Sequence, residues 1–347
     1  MKTLKLIALA LVATGTIISC SDDDDSISTD DTVDPADRAE LYVSNNSDGN
    51  ITKYDVKDQN QVTSETFLTL STDSEGIYYN ANSDDVTQAS RSLLQLNTYA
   101  DISISDSGIL IDASLSSSTD LESPRDLAVS GNLYVVADNA DVDGDPMTDD
   151  GRFFIYTRTD SGFTLRNIVT VNFAVWGITF VGNDLYAVVD KTSDLAVFNN
   201  FLTANTANAT VEASKRITIE GIVRTHGIAF DGGTMILTDI GAATGDGSDT
   251  DGAFHVITDF QSKFNTVADG ETMAVAGNQV RVAGAGTFLG NPIAAAYDAE
   301  TETVYIAERA NAGGRVLAFT NINSGGDLTP VINNELSGAS SLYLYKE

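Results

Sequence analysis

"HGIAFDGGTMILTD", residues 226 to 239, reads as two short strands that alternate apolar and polar side chains about a turn at Asp231-Gly232-Gly233. Period-two alternation presents one set of side chains to each face of a pleated strand. Asp and Gly tolerate the positive φ that closes a tight hairpin. The unit recurs along the chain. Its first strand returns as "GIYYNAN" at 76, "RDLAVSG" at 125, "WGITFVG" at 176 and "IAAAYDA" at 293. Its second returns as "LYVSNN" at 41, "DVTQASR" at 85, "LYVVAD" at 133, "LYAVVD" at 185 and "VYIAE" at 304. A third strand follows each, as in "RFFIYTR" and "RVLAFTN", and stretches such as "TLRNIVTV" and "SKRITIEG" can supply a fourth.

Taking Asn45, Ser90, Asp138, Asp190, Asp239 and Glu308 as equivalent gives intervals of 45, 48, 52, 49 and 69 residues. Such periods mean four-stranded blades arranged radially. Helical periodicity is nearly absent, so the chain reads as all-β, a six-bladed β-propeller. Seven blades is the alternative because the last interval is long. The chain ends in "GASSLYLYKE", a strand like the inner ones, while the first blade begins at "ELYVSNN" without an inner strand. If Ser340 to Tyr345 supplies it, the two termini meet in one blade and latch the ring.

The formal charge of −31, from 50 acidic and 19 basic residues in 347, argues against nucleic-acid backbones and anionic membrane surfaces as partners. The N-terminus begins MKTLK and continues with an apolar run too short to span a bilayer. That run ends at Ile17-Ile18-Ser19-Cys20, which resembles a bacterial lipobox, in which the signal is removed and the exposed cysteine receives lipid. Cys20 is the only cysteine, so an internal disulfide is impossible. Ser21 to Asp37 is acidic and small-polar with little to bury, and is expected to be a disordered tether. Its Cys-Ser-Asp-Asp-Asp start looks like the export signal of Bacteroidetes lipoproteins, which implies the outer leaflet of the outer membrane. The expected organisation is a signal peptide at 1–19, lipidated Cys20 and tether at 20–37, and a propeller at 38–347. Attachment is expected through the N-terminal lipid only.

The alternation of "GIAFDGGTMILTD", "LYVVAD" and "GGRVLAFTNINSGGDLTP" resembles the NHL, YVTN and SMP-30/gluconolactonase group of propellers, over about residues 41 to 345. In an up-and-down blade, the start of strand one and the end of strand two lie on the same face. That face should gather Arg125, Trp176, His226 and Asn291 from inner-strand starts, and Asn45, Asp138, Asp190, Asp239 and Glu308 from second-strand ends. The resemblance to lactonases implies calcium bound at the channel mouth by Glu, Asn and Asp, with a carboxylate activating water. Its early glutamate on the first inner strand has no counterpart in Ser340 to Tyr345. In that reading Asp190 or Asp239 holds the ion or serves as base, and Arg125 or His226 donates to the oxyanion. The competing reading is that each strand-end acid caps its adjacent turn by accepting backbone amides. Trp176 is either a ligand platform or core filler.

A second acidic feature interrupts the third blade. In "DNADVDGDPMTDDGRF", 138 to 153, oxygens fall at Asn139, Asp141, Asp143 and Asp145, with Gly144 sixth and Asp150 twelfth. This is the order of a calcium loop, set between strands rather than helices. Either the loop stays open in water or a cation draws it together. "GDGSDTDG" at 245 to 252 repeats only the Asp249-x-Asp251-Gly252 core. The sequence therefore points to a surface-anchored propeller that binds a small-molecule, glycan or protein ligand, with calcium as a stabilising ion. A calcium-dependent lactonase or related hydrolase is the alternative.

Overall fold

The computed structural model describes residues 38–243 and 250–347. The signal peptide, Cys20 and the tether lie outside the described residues, as does Asp249. Six separate sheets make a six-bladed β-propeller. Blade 1 runs, from the axis outward, Ala339–Lys346, Ala39–Asn45, Ile51–Asp55 and Thr63–Phe67. Blades 2 to 6 begin on the axis with Ser74–Asn80, Pro124–Ser130, Val175–Val181, Ile228–Asp231 and Pro292–Asp298. The last strand pairs antiparallel with the first, Tyr42 opposite Tyr343, so the C-terminus closes the ring as expected.

The long final interval is an insertion and not a seventh blade. Between Ala253–Ile257 and Val280–Ala283, blade 5 carries the short helix Phe260–Thr266 and the two-residue strand Thr272–Met273. Thr272–Met273 pairs in parallel with the outer strand of blade 4, Lys215–Ile219. Ala209–Thr210 does the same from blade 4 to the outer strand of blade 3, Gly162–Val171. Each insertion covers the edge its neighbour would otherwise present to another chain.

Apolar residues of neighbouring blades interdigitate in six clusters, one at each blade interface. Alternation explains this, because every strand contributes side chains to both interfaces of its blade. Around the axis the inner strands crowd together, and here the recurring Gly-Ile has its cause. A Cβ on Gly177 would sit 2.3 Å from the carbonyl oxygen of His226, and one on Gly227 would sit 2.8 Å from Ala294 Cα. Only glycine admits so close a backbone approach.

Candidate functional site at the channel mouth

The axis is an open channel of about 400 Å³ lined by the six inner strands. Register shifts interrupt these strands near their starts, at Gly76 between Glu75 and Ile77, at Arg125 between Pro124 and Asp126, at Trp176-Gly177 between Val175 and Ile178, and at Ile293 between Pro292 and Ala294. A bulge turns its side chain out of the alternating pattern. The triplets Glu75-Gly76-Ile77, Arg125-Asp126-Leu127, Trp176-Gly177-Ile178 and His226-Gly227-Ile228 are equivalent in the repeat. Blades 3 to 5 thus bring a guanidinium, an indole and an imidazole to the channel wall and blades 6 and 1 bring Ile293 and Ser340, while blade 2 carries the buried carboxyl of Glu75 at the equivalent position.

Three of these form a stack across blades. The Arg125 guanidinium lies 4.4 Å from the centre of the Trp176 ring, and Trp176 lies flat on His226 with centroids 3.7 Å apart and planes 5° apart. Arg125 Nε donates to Asn139 Oδ1 at 2.7 Å, and Ser123 Oγ donates to the same oxygen at 2.9 Å. No carboxylate forms an ion pair with Arg125 among the described residues. Burial, with the positive charge of Arg91 nearby, lowers its pKa to about 10.

Glu75 is 1 % exposed. Its Oε1 accepts from Asn46 Nδ2 at 3.1 Å and lies 4.0 Å from Arg91, which is held more closely by Asp73 at 3.2 Å. Its Oε2 has no hydrogen-bond donor among the described residues, and neither does Asn46 Oδ1. Burial pushes Glu75 up to about 7. Asp126 stands where three neighbouring inner strands have glycine. It accepts from the backbone of Leu127 and of Ile178 in the next blade, both at 2.8 Å, and burial raises it to about 7.

The second-strand ends divide into two kinds. Asp138 accepts from the amides of Glu122 and Ser123, both at 2.8 Å, and of Ala140 at 3.1 Å, and also pairs with Arg152 Nη2 at 3.2 Å. Asp239 accepts from Val223, Arg224 and Gly241, and Asn45 Oδ1 from Ser47 and Asp48. Glu308 receives the amides of Gly290, Asn291, Ala310 and Asn311. These four hold the turns around the mouth. Asp190 differs: it receives one neighbouring amide, Lys191 at 2.7 Å, and also Arg224 Nε and Nη2 at 2.9 and 2.7 Å and His226 Nε2 at 3.0 Å. Burial opposes the Asp190 anion, but the His226 hydrogen bond and the Arg224 charge outweigh it and hold its pKa at about 2. Burial lowers His226 to about 4. At neutral pH the pair is therefore ionised Asp190 and neutral His226, whose Nδ1 lacks a partner among the described residues. Asn291 is 7 % exposed, and its Oδ1 is likewise unpartnered there.

Of the five oxygens read as a calcium loop, Asp141, Asp143 and Asp150 converge, each offering a ligand atom within 4.8 Å of the others. Asn139 turns to Arg125, and Asp145 caps Met147 N at 3.0 Å. Asp150 accepts from Val142 and Asp143, and Asp141 from Gly144. The sequence reading passed over Glu75, Arg91, Asp126 and Arg224. A signal for Glu75 was present, since it precedes Gly76-Ile77 as Trp176 and His226 precede their Gly-Ile pairs.

No known family profile and no curated protein matches the chain. Solved structures do match. A chain of the nidogen/laminin complex aligns with a TM-score of 0.58 and 12% identity, over 88% of this chain and 98% of that one. A protein of Bacteroides fragilis provisionally described as a 6-phosphogluconolactonase aligns with a TM-score of 0.56 and 10% identity, over 91% and 100%. A similarly described protein of Bacteroides uniformis gives 0.55 and 10%, over 89% and 100%. At these identities the likeness establishes the propeller fold.

Proposed function

We propose that the chain is a surface-anchored binding protein that captures a small anionic ligand at the mouth of its propeller channel. The observation that carries this reading is Arg125, a half-buried guanidinium stacked on Trp176, fixed through Nε and lacking a paired carboxylate among the described residues. A guanidinium held by its Nε keeps its terminal N–H groups for a planar anion. Most strand-end acids hold turns, so the mouth reads as a rigid recognition surface rather than a free carboxylate ring.

Anchoring is part of the proposal, with Cys20 taking lipid and residues 20–37 spacing the propeller from the outer membrane. Among the described residues no helix is long and apolar enough to cross a membrane. Calcium is proposed as a brace for the 139–150 loop. Asp141, Asp143 and Asp150 would hold it, a donor set of hard oxygens suited to that ion.

The test uses the full chain in detergent. Calorimetry with short-chain carboxylates should detect binding that is lost in Arg125→Met while melting is retained. Turnover of lactones or esters that disappears in folded Asp190→Asn would replace the binding reading with the hydrolase. Cys20→Ala should leave the membrane fraction or keep its signal peptide.

A further inference from the structure

The anion site accounts for Arg125 but not for its neighbours in the ring. Glu75 occupies the equivalent position one blade earlier, and each of the two charges shifts the acidity of the other. Even so, no ion pair joins them among the described residues. Glu75 Oε2 and Asn46 Oδ1 are buried acceptors with no donor there. The assignment of Asn46 is fixed because its Nδ2 donates to Glu75 Oε1. Buried acceptors without donors are costly, and a bound ion or ligand is one way to meet them.

We propose, building on the anion-binding reading above, that the mouth recognises a zwitterion, whose anionic group lies on Arg125 and whose ammonium group donates to Glu75 Oε2 and Asn46 Oδ1. An ammonium has three N–H donors and no acceptor, which matches two adjacent unmet acceptors better than a single hydroxyl does. It also brings a positive charge to the Oε2 side of Glu75, where Arg91, which meets Oε1 at 4.0 Å, forms no ion pair. Arg91 pairs with Glu75 only at 4.0 Å and is engaged more closely by Asp73 at 3.2 Å. A ligand bearing both charges would serve the unmet Oε2 of Glu75 and the guanidinium of Arg125 together. The charged and titratable groups facing Glu75 are Asp73 and Arg91 from the segments before the first and after the second strand of its own blade and Arg125 from blade 3, with Asn46 from blade 1 as a neutral partner.

pH should separate the two ligand classes. Burial places the Glu75 titration near 7. Raising the pH from 6 to 8 ionises it, so affinity for a zwitterion should rise and affinity for a simple anion should fall.

The experiment measures binding of full-length protein in detergent to a series of ω-amino acids, glycine to 6-aminohexanoate, against alkanoates of equal length. At pH 8 one ω-amino acid should bind at least tenfold more tightly than its alkanoate. Glu75→Gln should erase that preference while leaving alkanoate binding equal or stronger. Should the variant fail to fold, the opposite pH trends of the two series in the wild-type protein decide the matter. Equal binding of both series at every length and pH overturns the zwitterion and leaves the anion site standing. Binding of neither overturns both.

Discussion

Asp239 and Asp190 end equivalent strands in adjacent blades, yet they do different work. Asp239 takes the amides of Val223, Arg224 and Gly241 on Oδ1 and holds a turn closed, while its buried Oδ2 has no hydrogen-bond donor among the described residues and lies 4.0 Å from Arg281. Asp190 takes only the amide of Lys191 and gives its remaining capacity to Arg224 and His226, beside the stacked Trp176. The lesson is that a repeat enforces a residue type for the turn it must close, and function enters where one blade redirects that residue. The same holds around the axis, where blades 2 to 5 depart from small or aliphatic residues and blades 6 and 1 do not.

If Glu308 belongs with Asp239, removing its carboxyl strands four amides. Glu308→Ala should then cost about 4 kcal/mol, at about 1 kcal/mol for each unmet buried donor, a fall of roughly 8 °C in Tm. A loss no larger than that of a surface variant would break the turn-holding half of the comparison. Glu75→Gln should do the reverse. The folded-state pKa of Glu75 is raised from 4.5 to about 7, so its contribution is fully present below 4.5 and lost as pH rises through 7. The variant should therefore gain about 3 kcal/mol relative to wild type at pH 8 and nothing near pH 4. Denaturant titrations at both pH values read this directly. Asp190→Asn weakens an ionised hydrogen-bond set but leaves most turn amides served. About 2 kcal/mol is expected, with the change felt at Trp176 rather than in the turns. Calcium should have the smallest effect. At tenfold excess over its dissociation constant it would add about 1.4 kcal/mol, absent in Asp141→Asn with Asp143→Asn and absent with magnesium.

The fold was legible because hairpin alternation and turn residues repeat with the period of a blade, and the orphan strand at Ser340 to Tyr345 announced the latch. The insertion in blade 5 was not legible. Thr272–Met273 and Ala209–Thr210 are too short to show a period, and their pairing depends on the neighbouring blade. At the site, Arg125, Trp176 and His226 could be placed together from the repeat alone. Which strand-end acids face amides and which face the channel is set by the backbone of each loop, and side-chain type does not encode it. Asp126 was hidden for a related reason: it stands where blades 2, 4 and 5 have a glycine, and only the geometry shows it aimed at Ile178 in the next blade. Of the five-oxygen calcium pattern, Asp141, Asp143 and Asp150 converge, while the Asn139 oxygen also accepts from Arg125.

The most direct test uses Trp176, the only tryptophan in the chain, which lies between the proposed anion-binding guanidinium and the imidazole paired to Asp190. Its emission should change saturably as ω-amino acids or alkanoates are added to the full-length protein in detergent. The change should vanish in Arg125→Met at unchanged melting. Emission that stays flat while calorimetry records binding, or a change that survives in Arg125→Met, would contradict the assignment of the channel mouth as the ligand site.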